Sequence, residues 1–302
     1  MANDALNKSR KRKDDEFYTK KEDVIKELDH YTEYFKNKVI YLNADDPKRS
    51  EFYRYFRDNF EKIKPAKVIC TYYDPDQRPF ITTITKDGEG IVVRQERSSE
   101  NGDFRSEECL AILRKADIVI TNPPFSLMTE YFRVLFDNSK QFLIIGNMTA
   151  IGRKHVAEQI RDEKVWLGYT QARYFVRPDG TRKSVAMSRW FTNLPTDRRC
   201  RHLELTRVYT PEDYPKYETY DAIDIDKVVN IPKDYKGLMG VPITYLDKHN
   251  PDDFEILGIF TPTKNGDVFL AKPVVNGKEK FTRIAIRKKT ASKNNLQKSP
   301  YY

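Results

Sequence analysis

From about residue 17 to about residue 208, short runs of consecutive apolar residues alternate with longer segments in which apolar residues recur every three or four positions. The runs Lys38–Leu42 (KVIYL), Lys67–Thr71 (KVICT), Asp117–Thr121 (DIVIT) and Gln141–Gly146 (QFLIIG) predict buried strands. Between the first two, Ser50–Phe60 sets Phe52, Tyr53, Phe56 and Phe60 on one face, an aromatic stripe that predicts a core-facing helix rather than a ligand box. Lys21–Tyr34, Ser106–Lys115 and Met128–Phe136 predict further helices. Strand, helix, strand, helix, strand in this order predicts a doubly wound α/β sheet, mostly parallel and covered by helices. The pattern then changes: Tyr174–Ser184, centred on Pro178-Asp179-Gly180, predicts a hairpin, and Arg189–Asn193 another strand. Beyond about Val208 the alternation fades into Pro- and Tyr-rich sequence, so a domain 17–208 is expected to be followed by a second region, 209–290.

Composition narrows the partners. Of 302 residues, 54 are Lys or Arg and 45 are Asp or Glu, and the net charge of +9 favours a polyanion such as nucleic acid. Two stretches at the ends read as basic arms: residues 1–16, with Lys8, Arg10, Lys11, Arg12 and Lys13, and the tail 291–302 with Lys293. The three cysteines, Cys70, Cys109 and Cys200, are far apart and odd in number, which suggests neither a disulfide framework nor a zinc cluster; no metal is expected. No apolar run approaches the roughly 18 residues of a membrane helix, and residues 1–16 lack the apolar core of a secretory signal, so a cytoplasmic protein without a membrane partner is expected.

The sharpest chemical signal is the strand Asp117–Thr121 running straight into Asn122-Pro123-Pro124-Phe125. In open α/β sheets ligands sit beyond the carboxyl ends of the strands, where this loop falls. Two prolines fix φ twice and remove two donors, which leaves a stiff loop with free carbonyls. Such a loop suits an amino group. The lone pair of an exocyclic amine is delocalised into its ring, and two acceptors, the Asn122 side-chain oxygen and the Pro123 carbonyl, can take its two hydrogens and aim the lone pair at a methyl donor. Phe125 can stack on the base. Orientation and preorganised dipoles then supply the catalysis, without metal or covalent intermediate. A rigid proline turn with no chemistry is the plainer alternative.

Three upstream segments are candidates for a cofactor. Asp103 and Phe104, after Asn101-Gly102, pair a carboxylate with an aromatic fit to hold an adenine ring, although Gly-Asp is also an ordinary turn. Asn43, Ala44 and Asp45, followed by Asp46-Pro47, lie at the end of the first long strand, where an amino-acid moiety or ribose would sit; Asp45 and Asp46 equally suit the first turn of the helix that follows. Phe17, Tyr18 and Thr19 precede the helix at Lys21–Tyr34, where a hydrophobic staple is the alternative. Arg173, Arg177, Arg182, Lys183 and Arg189 form a candidate phosphate surface, or simply solvate a hairpin.

In this order the pieces resemble the EcoRI-type adenine-specific DNA methyltransferase family. The resemblance spans about residues 14–290 and is carried by Glu16–Thr19, Asn43–Pro47, Gly102–Arg105, Thr121–Ser126, Arg189–Leu194, Tyr220–Ile223 and Gly237–Thr244. It implies a Rossmann-like methyltransferase fold, a C-terminal DNA-recognition region at 209–290, S-adenosylmethionine as donor and a flipped-out adenine in double-stranded DNA as acceptor. A lone enzyme of this kind is expected to work as a monomer. The Gly-rich first loop of many methyltransferases is replaced here by Asn43–Pro47. The rival readings are an adenine-N6 methyltransferase acting on RNA, and a DNA-binding protein on the same scaffold that no longer turns over.

Overall fold

A computed structural model describes residues 17–88, 90–177, 179–262 and 267–289. The basic arms expected at 1–16 and 291–302 lie outside these residues, as does Pro178. Two compact units are present: the described residues up to Val156 with Lys164–Thr196, and Ala157–Glu163 with the described residues from Asp197 onward.

The first unit is built on a mixed eight-stranded sheet. In chain order its strands are β2 Val39–Leu42, β3 Lys67–Cys70, β4 Phe80–Asp87, β5 Gly90–Arg97, β6 Ile118–Thr121, β7 Gln141–Asn147, β8 Trp166–Leu167 and β11 Ser188–Thr192. They lie in the order β5-β4-β3-β2-β6-β7-β11-β8. The four predicted strands, β3, β2, β6 and β7, form the parallel centre, and the pairs flanking them are antiparallel. Every residue of β6 is buried, as expected of a strand covered on both faces. On one face Ile40, Leu42, Ile118, Ile120, Leu143 and Ile145 join Val24, Leu28, Phe52 and Phe56 in one cluster. On the other, Phe142 meets Phe132 with ring centroids 6.1 Å apart. The sheet is therefore an open α/β sheet with a parallel centre, as the alternation of strands and helices predicts.

The helices start where capping chemistry allows. Ser50 accepts from the Tyr53 amide ahead of the helix Glu51–Asp58, and Ser106 accepts from the Cys109 amide ahead of Glu107–Lys115, each side chain satisfying one orphan donor of the first turn. The aromatic stripe is entirely buried: Phe52, Tyr53, Phe56 and Phe60 are core residues. In Met128–Asp137, Met128, Tyr131, Phe132 and Leu135 are buried at helical spacing.

A smaller sheet joins β1 Tyr18–Thr19 to the hairpin of β9 Tyr174–Val176 and β10 Arg182–Ser184, with Thr19 opposite Phe175. Within Phe17-Tyr18-Thr19, Tyr18 and Thr19 thus form an edge strand just ahead of the helix. The predicted helix beyond it is Lys21–Leu28, continued by a 3₁₀ turn at Asp29–Tyr31 and a short helix Thr32–Phe35.

The second unit holds a four-stranded sheet of β12 Ile223–Asp224, β13 Met239–Pro242, β14 Phe254–Phe260 and β17 Arg283–Lys288, ordered β12-β13-β17-β14, and a two-stranded ribbon of β15 Val274–Val275 and β16 Lys278–Glu279. The sequence places a boundary near Val208, whereas the compact units divide after Thr196. The intervening residues bond within the second unit: Arg198 to Asp247 at 3.7 Å, His202 to Asp253 at 2.8 Å, and Arg207 in a bridge with Pro232. Polar contacts of this kind leave no hydrophobic period to read.

Candidate active site

Because β2, β3 and β6 are parallel and in register, their carboxyl ends leave the sheet at one edge. Asn43, Thr71 and Asn122 therefore emerge together. Pro123 is buried, and Asn122, Pro124 and Phe125 are half-buried. A 3₁₀ turn at Phe125–Leu127 then leads into the helix Met128–Asp137.

The Asn122 amide is fixed from one side only. Its Nδ2 donates to the Phe17 carbonyl at 2.6 Å, which sets the orientation of the group because a carbonyl cannot donate. Its Oδ1 is buried with no hydrogen-bond partner. A buried carbonyl oxygen left unmet costs about 1–3 kcal/mol, so this acceptor is held ready for a donor from elsewhere. Phe125 packs edge-on against Phe175 at 6.0 Å and tilted against Phe17 at 6.1 Å, and Phe17 lies 6.3 Å from Phe175. The Lys183 ammonium sits over the Phe17 ring at 4.8 Å. These aromatic walls bring β1 and the hairpin to the loop.

Asp45 is the electrostatic centre of the edge. Its carboxylate accepts from Ser50 Oγ at 2.6 Å and Thr121 Oγ1 at 2.5 Å, and its backbone amide donates to the Thr71 carbonyl at 3.0 Å. Burial pushes its pKa up to about 6, the two hydroxyl donors working in the opposite direction. Asn43 is buried and accepts from the Tyr131 hydroxyl, while Ala44 is partly open. Thr19 is buried, and its hydroxyl has no hydrogen-bond partner. Tyr18 accepts from Arg49 Nη1 at 3.1 Å.

Asp103 chelates Arg105, its Oδ1 accepting from Nε at 2.9 Å and its Oδ2 from Nη2 at 2.7 Å. Phe104 is 5% exposed and packs on Tyr131 at 5.0 Å, the same tyrosine that holds Asn43. The loop depends on Gly102, whose φ is +75° and whose added Cβ would lie 1.9 Å from the Tyr72 carbonyl oxygen. The structure thus unites Asn122–Phe125 with Phe17, and Asn43–Asp45 with Thr121 and, through Tyr131, with Phe104. Ser50, Tyr131 and Phe175 were not singled out for the site from sequence. Ser50 carried a cap signal and Tyr131 a helical one, but nothing in Phe175 separates it from any strand aromatic.

The family model for the adenine-specific methyltransferase EcoRI matches residues 5–301. The chain belongs to this family. Its similarity to the type II methyltransferase M.EcoRI of Escherichia coli is 37% identity, covering 96% of this chain and 98% of that protein. To M.MgeORF184P of Mycoplasma genitalium and M.MpnI of Mycoplasma pneumoniae, both type II methyltransferases, identity is 31%, covering 94% of this chain and 98% of each relative. No solved structure is significantly similar to it. As a member of the EcoRI methylase family it is an enzyme, a DNA methyltransferase using a methyl donor. Among the described residues no group of three or more His, Cys, Asp or Glu is placed to hold a metal ion, and no helix is long and apolar enough to cross a membrane. Cys70 and Cys109 are buried thiols and Cys200 an exposed one.

Proposed function

We propose that this enzyme transfers a methyl group from S-adenosylmethionine to N6 of an adenine flipped out of duplex DNA. The observation that carries the reading is the one-sided Asn122 amide, with Nδ2 tied to the Phe17 carbonyl and Oδ1 buried and unmatched. An N6 hydrogen is a donor of the kind that oxygen lacks, and the Pro123 carbonyl is the second acceptor. With both hydrogens held, the N6 lone pair is turned out of conjugation with the ring and pointed away from the loop. Phe125, steadied by Phe17 and Phe175, offers a face for the base and keeps water from the amine. The loop is stiff before substrate arrives, so little reorganisation accompanies the reaction. Extruding the base costs a few kcal/mol of stacking and pairing, which pocket contacts must offset.

The residues at the sheet edge fit the proposed donor. Thr19 presents a buried, unmatched hydroxyl beside the segment that anchors Asn122, and Phe17, Tyr18, Asn43, Ala44, Asp45, Asp103 and Phe104 complete the set that would hold it. When bound, S-adenosylmethionine supplies a methyl on a sulfonium, open to direct attack by an amine. We assign duplex recognition to residues 209–290 and phosphate contact to Arg173, Arg177, Arg182, Lys183 and Arg189, of which Arg173 and Arg182 are exposed on the β9–β10 hairpin.

The test is incubation with labelled S-adenosylmethionine and unmethylated genomic DNA, with RNA offered in parallel, followed by digestion to nucleosides and mass spectrometry. N6-methyl-2′-deoxyadenosine is expected. Label confined to RNA, or found only on cytosine, overturns the reading. Asn122→Ala should lower the rate by about two to three orders of magnitude, the scale of one lost polar contact to the reacting group, with donor binding retained.

A further inference from the structure

Phe281 is 87% exposed, the most solvent-exposed of the large hydrophobic residues described. It occupies the turn between the ribbon strand Lys278–Glu279 and Arg283–Lys288. A loose loop would let such a ring fold back onto apolar surface, but this loop is braced on both sides of it. Lys280 Nζ lies 3.8 Å from Asp224 Oδ2 and Arg283 Nε 3.2 Å from Asp224 Oδ1. The Asp224 side chain is 4% exposed and also accepts from the Tyr217 hydroxyl at 2.7 Å. Gly240 is what lets Tyr217 reach it, since an added Cβ there would meet the Tyr217 oxygen at 2.1 Å. The Lys280 amide donates to the Pro273 carbonyl at 2.7 Å, closing the loop from a third direction.

One buried carboxylate therefore pins the two cations that flank the phenylalanine and leaves the ring facing solvent. The sequence here is basic: from Lys272 to Lys289 the chain carries seven Lys or Arg against one acid, Glu279, with Lys272 paired to Glu279 and Arg287 to Glu255. Lys278 is exposed at the tip of the ribbon, beside the Asn276-Gly277 turn, in which both residues have positive φ. A rigidly held apolar ring flanked in the chain by Lys280 and Arg283, with the exposed Lys278 three residues before it, fits a partner with a stack of flat apolar faces between rows of phosphates.

We infer that Phe281 is a wedge that stacks into the bases of duplex DNA, with Lys278 taking a backbone phosphate. Apolar side chains inserted at base steps unstack and kink a duplex, and base–aromatic stacking is tolerant of sequence. The inference rests on duplex DNA being the acceptor, as proposed above.

The test uses the full chain, a linear duplex of plasmid sequence, gel-shift titration at several salt concentrations, and methylation of the same duplex in parallel. Phe281→Ala should bind about tenfold more weakly, with an unchanged salt slope because no counterion-releasing charge is lost. Phe281→Trp should stay within about threefold of the parent. Lys278→Ala should reduce the salt slope by about one. The unfolding midpoint of Phe281→Ala should match the parent, since the ring covers almost nothing. If the parent binds and methylates the duplex while Phe281→Ala binds it equally well, or if the tryptophan variant is as weak as alanine, the wedge is overturned and the methyltransferase reading stands. If the parent neither binds nor methylates duplex DNA, that reading fails and the wedge fails with it.

Discussion

Thr121 Oγ1 donates to Asp45 Oδ2 at 2.5 Å, inside a region where both residues are buried. The residue immediately before Asn122 is thereby fastened to the segment leaving the neighbouring strand. Ser50, which caps the aromatic helix, holds the other carboxylate oxygen. Asp45 is in this geometry a positioning residue as much as a candidate ligand: a shift of its side chain moves Thr121 and the loop behind it.

Protonation of Asp45 should tune stability. Its pKa in the fold is raised from 3.8 to about 6 by burial. A raised pKa means that the stabilising contribution is complete below about pH 3.8 and is lost as pH rises through about 6. The gap corresponds to about 3 kcal/mol. Asp45→Asn removes this dependence while keeping an acceptor and a donor for the two hydroxyls. Urea unfolding from pH 4 to 8 should show the parent losing stability relative to the variant as pH rises, with a constant difference above about pH 7. Parallel pH profiles would show that Asp45 is already ionised at little cost.

Asn122→Asp separates the two halves of the amide. The variant keeps an acceptor for N6 but sets a carboxylate oxygen against the Phe17 carbonyl, where the parent has a donor at 2.6 Å. Repulsion there should swing the side chain and slow transfer by about a hundredfold at pH 8. Protonation restores the donor, so the activity of the variant relative to the parent should rise as pH falls toward 5. A pH-independent ratio would mean that the Phe17 contact plays no part in orienting the group.

How far the site was legible follows from what kind of signal each residue left. Asn122–Phe125 stood out because two prolines after a buried strand are rare and their geometry is local. The parallel centre was legible because β2, β3, β6 and β7 are continuous apolar runs. The hairpin Phe80–Arg97 was not: its residues alternate weakly, β5 is largely exposed, and its polar outer face resembles a loop. The Asp45–Thr121 tie spans 76 residues, and only the register of β2 beside β6 creates it. Likewise, the contact of Phe104 with Tyr131 depends on the placement of a helix whose partner strand cannot be read from spacing.

Gly102 should be intolerant of any side chain. With φ at +75° and the Tyr72 carbonyl oxygen 1.9 Å from where a Cβ would stand, Gly102→Ala must move the loop that carries Asp103 and Phe104. Left-handed strain plus the clash should cost about 2–4 kcal/mol, measured as a fall in the urea midpoint. Donor affinity, followed by calorimetry under conditions where the variant remains folded, should fall as well. Unchanged donor affinity in the folded variant would remove Asp103 and Phe104 from the proposed cofactor site.

Phe125 tests the stacking role most directly. Its ring touches Phe17 and Phe175 but remains partly open, so it has a face to offer. Phe125→Leu preserves most of the apolar packing and removes the π-face, whereas Phe125→Trp enlarges it. If the ring stacks on the extruded base, kcat/KM should drop about ten- to hundredfold in the leucine variant, on the scale of base–aromatic stacking of about 1–3 kcal/mol, while donor affinity and the unfolding midpoint change little. The tryptophan variant should retain more activity than the leucine variant. Full activity in Phe125→Leu would reduce Phe125 to a packing residue and leave Asn122 and Pro123 to position the amine alone.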